Sequence, residues 1–135
     1  MLFYFVMGII FLSIGMSIRT LFIPNKIKGK QLSLENFMVL ASIYATVMIG
    51  FGLIYFLLEI KGFDVLFGGS FESNPVLSHM ETSMYFSAIT LFSVGYGDIA
   101  PIGIGRIIAV LEALIGYTIP AAFVARAVFD MEKKQ

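Results

Sequence analysis

The 135-residue chain has no cysteine and no tryptophan, a single histidine (His79) and four prolines. The lack of cysteine removes disulfides, thiolate metal sites and cysteine nucleophiles together. One imidazole cannot build a metal cluster, and no carboxylate pair marks a shared cleft, so enzymatic chemistry is not expected. Charge is scarce: charged residues make up 13% of the chain, against roughly 25% in a soluble domain. Nine basic residues cancel nine acidic ones, which leaves no broad basic face for nucleic acid. No helix carries arginine at every third position, which excludes a voltage sensor of the usual kind. Apolar residues abound, at 59% of the chain with a mean hydropathy of +0.92. So small a body cannot hide that much apolar surface, so its solvent must itself be apolar. Disorder is excluded on the same ground. The chain reads as one domain of a membrane protein.

Three runs are long enough to span, which takes roughly 20 apolar residues. Residues 1–18 carry no charge, and the run continues past Arg19 to Ile23, ending at Pro24. It lacks the basic leader and small-residue cleavage site of a signal peptide, and is read as a retained helix. Asn36–Leu58 holds no charged side chain, and Gly103–Phe129, with Arg106 near its start, is interrupted by Glu112 and Arg126. Between the last two spans, His79–Phe92 is apolar but too short to cross, which makes it a candidate re-entrant element. Ser78 and Glu81 have capping-box spacing at its start. Lysine and arginine near span ends set the orientation. Lys26, Lys28 and Lys30 follow the first span, and Lys133 and Lys134 follow the third. The expected topology therefore has the amino terminus outside, the carboxyl terminus in the cytoplasm and the re-entrant element entering from outside. From Glu59 to Arg106 five acids (Glu59, Asp64, Glu72, Glu81, Asp98) face two bases, a net −3 that concentrates cations.

Directly after the short apolar element comes Ser93-Val94-Gly95-Tyr96-Gly97-Asp98. Stripping water from a small cation costs on the order of tens of kcal/mol unless other oxygens replace it. Successive backbone carbonyls would serve if they pointed one way, but along a strand of L-residues they alternate. Glycine reaches positive φ without steric cost. Gly95 and Gly97, two apart, therefore allow Ser93, Val94, Gly95 and Tyr96 to aim their carbonyls at one axis. Val94 and Tyr96 would then point away from that axis and pack against the helix behind, and the Ser93 hydroxyl adds an oxygen at the inner end.

This hexapeptide resembles the selectivity filter of tetrameric potassium channels, Thr-Val-Gly-Tyr-Gly, and the likeness extends over about residues 36–130. The resemblance implies an all-α membrane protein with three transmembrane helices, a re-entrant pore helix and a filter, assembled as a homotetrameric potassium-channel pore. The implied division is 1–33, first helix and basic connection; 34–130, pore module; and 131–135, short cytoplasmic tail. Within the module lie an outer helix (34–60), turret (61–77), pore helix (78–92), filter (93–98) and inner helix (103–130). K+ would bind at Ser93, Val94, Gly95 and Tyr96, with Gly97 completing the filter, and no organic cofactor is expected. One filter per chain supplies a quarter of a pore, hence four copies in a cell membrane with lipid around them. Each pore helix would aim its negative carboxyl end at the cavity below. Ser93 replaces the family's threonine, keeping the hydroxyl and losing a methyl. That leaves a nonselective cation channel as the alternative within this fold, and a nonconducting membrane subunit as the alternative outside it. Tyr96, replaced in some sodium-passing relatives, is intact. Ile89 stands where several relatives place a glutamate that pairs with the aspartate at position 98.

Around the filter, Asp98 is expected to be braced by Tyr85. Leu111-Glu112-x-x-x-Gly116 resembles the inner helix of bacterial inward-rectifier-like channels, with Glu112 behind the filter accepting from Ser87 or Thr90. Gly116 and Pro120, four apart, form a candidate gating hinge, and Val124, Val128 and Phe123 compete for an apolar constriction below it. Ser42, Thr46 and Gly50 form a small-residue stripe for helix packing. Gly8 and Gly15 are expected to dock the first span on the outer helix. His79 reads as an exposed surface residue, and Arg106 and Arg126 as interfacial snorkelling residues. No nucleotide- or ligand-binding domain is expected after the inner helix, so gating would fall to lipid, tension, ions, pH or an unidentified partner.

Overall fold

A computed structural model describes residues 1–22, 34–69 and 74–132. The connection holding Lys26, Lys28 and Lys30, together with Pro24, Glu72, Lys133 and Lys134, lies outside the described residues. The elements run α1 (Leu2–Phe22), α2 (Leu34–Ile60), β1 (Leu66–Phe67), α3 (Pro75–Leu91), β2 (Ala100–Pro101) and α4 (Gly105–Glu132). Helices α1, α2 and α4 are each long and apolar enough to cross a membrane. As helices they pair almost all of their internal backbone polar groups within themselves, as a spanning segment in lipid must. Helix α3 is shorter and carries Ser78, His79, Glu81, Thr82 and Ser83.

Helix α3 starts one turn earlier than the Ser78–Glu81 spacing suggests. Asn74 is the N-cap and Pro75 the first helical residue, with no side-chain capping bond. Proline suits this position because its missing N–H would have no helical partner there. The Ser78 amide instead bonds to the Asn74 carbonyl at 3.1 Å, inside the first turn.

The two strands of two residues each are too short to leave a sequence pattern. They pair antiparallel, with Leu66 opposite Pro101 and Phe67 opposite Ala100, and the Ile102 amide donates to the Val65 carbonyl at 2.8 Å. The chain therefore leaves for α3 and returns from the 93–98 segment at the same level. The far end of this excursion lies where Leu91, the last residue of α3, meets Gly116 of α4. Gly116 is eleven residues into α4, about 16 Å at the helical rise. That is about half the hydrocarbon thickness of a bilayer.

Within lipid, close van der Waals packing holds helices together more than apolar burial does. Helix α2 meets α3 through Gly52, whose missing Cβ leaves room for Met84, and through the edge-to-face pair Tyr55–Phe86 at 5.1 Å. Helix α1 lies along α2 in the opposite direction. Lys61 sits 4.7 Å over the Phe3 ring, while the buried Ile10 and Ile14 reach Gly50. The docking glycine is thus on α2. Nothing approaches the Cβ positions of Gly8 and Gly15 within 4 Å, so the expectation that they dock the first span is corrected: branched isoleucines fill the notch of Gly50. Ser42 and Thr46 turn their hydroxyls back to carbonyls four residues earlier, at 2.7 and 2.8 Å.

Candidate functional site

Ser93, Gly95 and Gly97 have φ of 57°, 56° and 83°. Three alternate residues in the left-handed region break the regular alternation of an extended chain. The glycines adopt this region freely, but Ser93 is the only described non-glycine residue with positive φ. For an L-residue that conformation costs roughly 1–2 kcal/mol. A helix cap offsets this cost. The Ser93 amide donates to the Thr90 carbonyl at 3.1 Å and the Val94 amide to the Ile89 carbonyl at 2.8 Å, the pair of bonds that closes a helix through a left-handed residue. The Gly95 amide reaches the same Ile89 carbonyl at 3.2 Å. The segment therefore hangs from the end of α3. Thr90 acts in it through its backbone, not by bonding Glu112.

All six residues from Ser93 to Asp98 are exposed in the single chain. Val94 and Tyr96 are 49% and 72% exposed, so among the described residues of one chain neither is buried against the helix expected behind it. At the Asp98 end of the segment, the Tyr85 hydroxyl bonds to Asp98, which raises the Tyr85 pKa above its ordinary value. The surrounding hairpin is held by Glu59, whose Oε1 accepts the Val65 and Leu66 amides at 2.9 Å each. Its Oε2 lies 3.5 Å from His79 Nδ1, so His79 is half-buried against an acid and is not the solvated surface residue its position suggests. Arg106 Nε donates to the Pro101 carbonyl at 3.3 Å.

Behind the segment, Glu112 is 0% exposed. Tyr55 Oη donates to its Oε2 at 2.9 Å, and Ser87 Oγ bonds its Oε1. Ser87 Oγ is also 2.8 Å from the Met48 carbonyl. This network joins α2, α3 and α4 at one point. Tyr55 occupies the place that Thr90 was expected to take. A buried tyrosine hydroxyl in a span needs a partner, and that requirement is the one signal in the sequence that singles it out.

Further along α4, Gly116 is buried, and a Cβ there would collide with the Leu91 carbonyl. The glycine thus has a packing reason independent of any hinge. Gly116→Ala is expected to lower stability by about 1–3 kcal/mol, the usual cost of overpacking a close contact, read as a lower unfolding midpoint in detergent. Val124 and Val128 are exposed on α4, whereas Phe123 is half-buried. Among the described residues no group of three or more His, Asp or Glu side chains is placed to hold a metal. The carbonyls of residues 93–97 and the Ser93 hydroxyl belong to a segment that is exposed in the single chain.

Residues 42–131, two thirds of the chain, match the family described as "Ion channel". The chain is 40% identical over 132 residues to Protein LctB of Geobacillus stearothermophilus and 41% identical over 132 residues to Protein LctB of Bacillus caldotenax. Each alignment covers 97% of this chain and 98% of the relative. No solved structure gives a significant match. The matched region takes in most of α2, all of α3 and the 93–98 segment, and α4 to its penultimate residue. With its three apolar helices, the chain is a multi-pass membrane protein and belongs to the ion channel family.

Proposed function

We propose that the protein is a potassium-selective channel that conducts passively through a homotetrameric pore. The alternation of left-handed backbone at Ser93, Gly95 and Gly97 carries this reading. It gives each chain a short ladder of carbonyls on one side, and four such ladders around an axis replace the water of K+. The exposure of residues 93–98 in one chain fits a segment whose partners are other copies. Val94 and Tyr96 then pack against helices of the neighbouring copies, and Asp98 with Tyr85 braces the outer mouth. Helix α3 ends half-way down α4 and directs its negative carboxyl end to the centre of the membrane, where a hydrated cation benefits most. The amino terminus lies outside and the carboxyl terminus inside, with the acidic hairpin facing the exterior.

Purified protein in liposomes tests this. Potassium flux many times that of sodium, with barium block and a four-chain assembly on cross-linking, is the expected result. Equal potassium and sodium flux would transfer the assignment to a nonselective cation channel, which the serine at position 93 favours over a threonine-bearing filter. Absence of flux would overturn conduction altogether.

A further inference from the structure

We propose that Tyr44 is a latch that closes a break in α4 and ties it to the base of the 93–98 segment. In an α-helix the amide of residue i+4 donates to the carbonyl of residue i. At Gly116 that donor would be residue 120, and Pro120 has no N–H. The Gly116 carbonyl is thereby orphaned in the middle of a span, where an unsatisfied backbone group is costly. The Tyr44 hydroxyl, from α2, donates to it at 2.9 Å. The bond crosses 72 positions of sequence to supply what the proline withholds.

The same side chain makes a second contact. Its ring stacks on Phe92, with centroids 5.3 Å apart and planes inclined by 20°. Phe92 is the C-cap of α3 and immediately precedes Ser93, and the adjoining Leu91 carbonyl is the atom that Gly116 abuts. Tyr44 thus touches both the weak point of α4 and the root of the carbonyl ladder. With the latch made, α4 runs unbroken from Gly105 to Glu132 in spite of Pro120. Bending α4 outward at Gly116–Pro120 turns the Gly116 carbonyl and breaks the bond. The latched form is the closed one, and Tyr44 is a positioning residue that biases the gate without touching the ion.

The inference rests on the conducting-pore reading, and the test keeps the two apart. Open probability is measured in planar bilayers for wild type, Tyr44→Phe, Pro120→Ala and the double variant. Phenylalanine keeps the ring and its stack and removes only the hydroxyl. One net hydrogen bond per chain sets a rise in the open-to-closed ratio of at least about fivefold in Tyr44→Phe. Pro120→Ala restores an amide for Gly116, so the same substitution in that background is expected to change the ratio less than about twofold. An unchanged or lower open probability in Tyr44→Phe overturns the latch, as does an equal effect with and without Pro120. A wild-type protein that passes no current overturns the pore reading itself, and the latch as a gating device falls with it. In that event, thermal unfolding of the same four variants still shows whether the hydroxyl and Pro120 are coupled.

Discussion

Gly95→Ala is expected to reduce potassium flux by about a thousandfold while leaving the protein in the membrane. Gly95 has φ of 56° and open space where a Cβ would stand, so the effect is conformational rather than steric. An alanine held there costs roughly 1 kcal/mol or more. In the proposed pore the cost is incurred four times, about 4 kcal/mol per assembly, or about three powers of ten at 1.4 kcal/mol each. The chain escapes by letting residue 95 return to negative φ, which turns a carbonyl out of line in every copy. Liposome flux with membrane-extracted protein quantified in parallel reads this. Flux within tenfold of wild type would show that carbonyl alignment does not depend on a left-handed residue 95.

The second large effect is expected at Glu112, and there the contrast between two substitutions matters more than either alone. Glu112→Ala removes the acceptor of the Tyr55 hydroxyl and leaves a cavity at the junction of three helices. An unsatisfied buried hydroxyl costs about 1–3 kcal/mol, and a large-to-small change in a packed site about 2–5 kcal/mol. A lower unfolding midpoint and loss of the assembled form on native gels are the expected outcome. Glu112→Gln is expected to be nearly silent, and proton counting gives the reason. Ser87 Oγ has one proton and faces two acceptors, the Met48 carbonyl and Glu112 Oε1. Both bonds are complete only when a proton on position 112 is donated to Ser87, and a glutamine amide supplies that donor. A glutamine variant as unstable as the alanine one would show that the site requires an anion.

Much of this architecture is legible in the sequence. The three spans stand out because long apolar runs with few or no charges have the length a bilayer demands and a soluble core does not. The spacing of Gly95 and Gly97 is legible because few residues tolerate the backbone they adopt. Glu112 announces itself as an acid inside a span, and Ser87 follows from helical reach. What stays hidden belongs to other physics. Tyr44 and Tyr55 contribute to an apolar count like any phenylalanine, yet each acts through one hydroxyl whose partner is 72 or 57 positions away. Ser93 has no compositional reason to take positive φ; the cap of α3 imposes it. The β1–β2 pairing is two residues long and has no periodicity to detect. The capping-box pattern at Ser78 lost to Pro75 because a proline one turn earlier already fits the first helical position. Gly8 and Gly15 share a spacing with packing motifs, but spacing alone does not say which helix carries the knob and which the hole.

One carbonyl divides the 93–98 segment into unequal halves. Ile89 oxygen receives the amides of both Val94 and Gly95, so residues 93–95 extend the end of α3 and cannot shift unless its last turn unwinds. Residues 96–98, by contrast, are moored by the Tyr85 hydroxyl and the short hairpin. In the proposed pore, fluctuation of the carbonyls therefore concentrates at the Asp98 end, where a single phenol holds the chain.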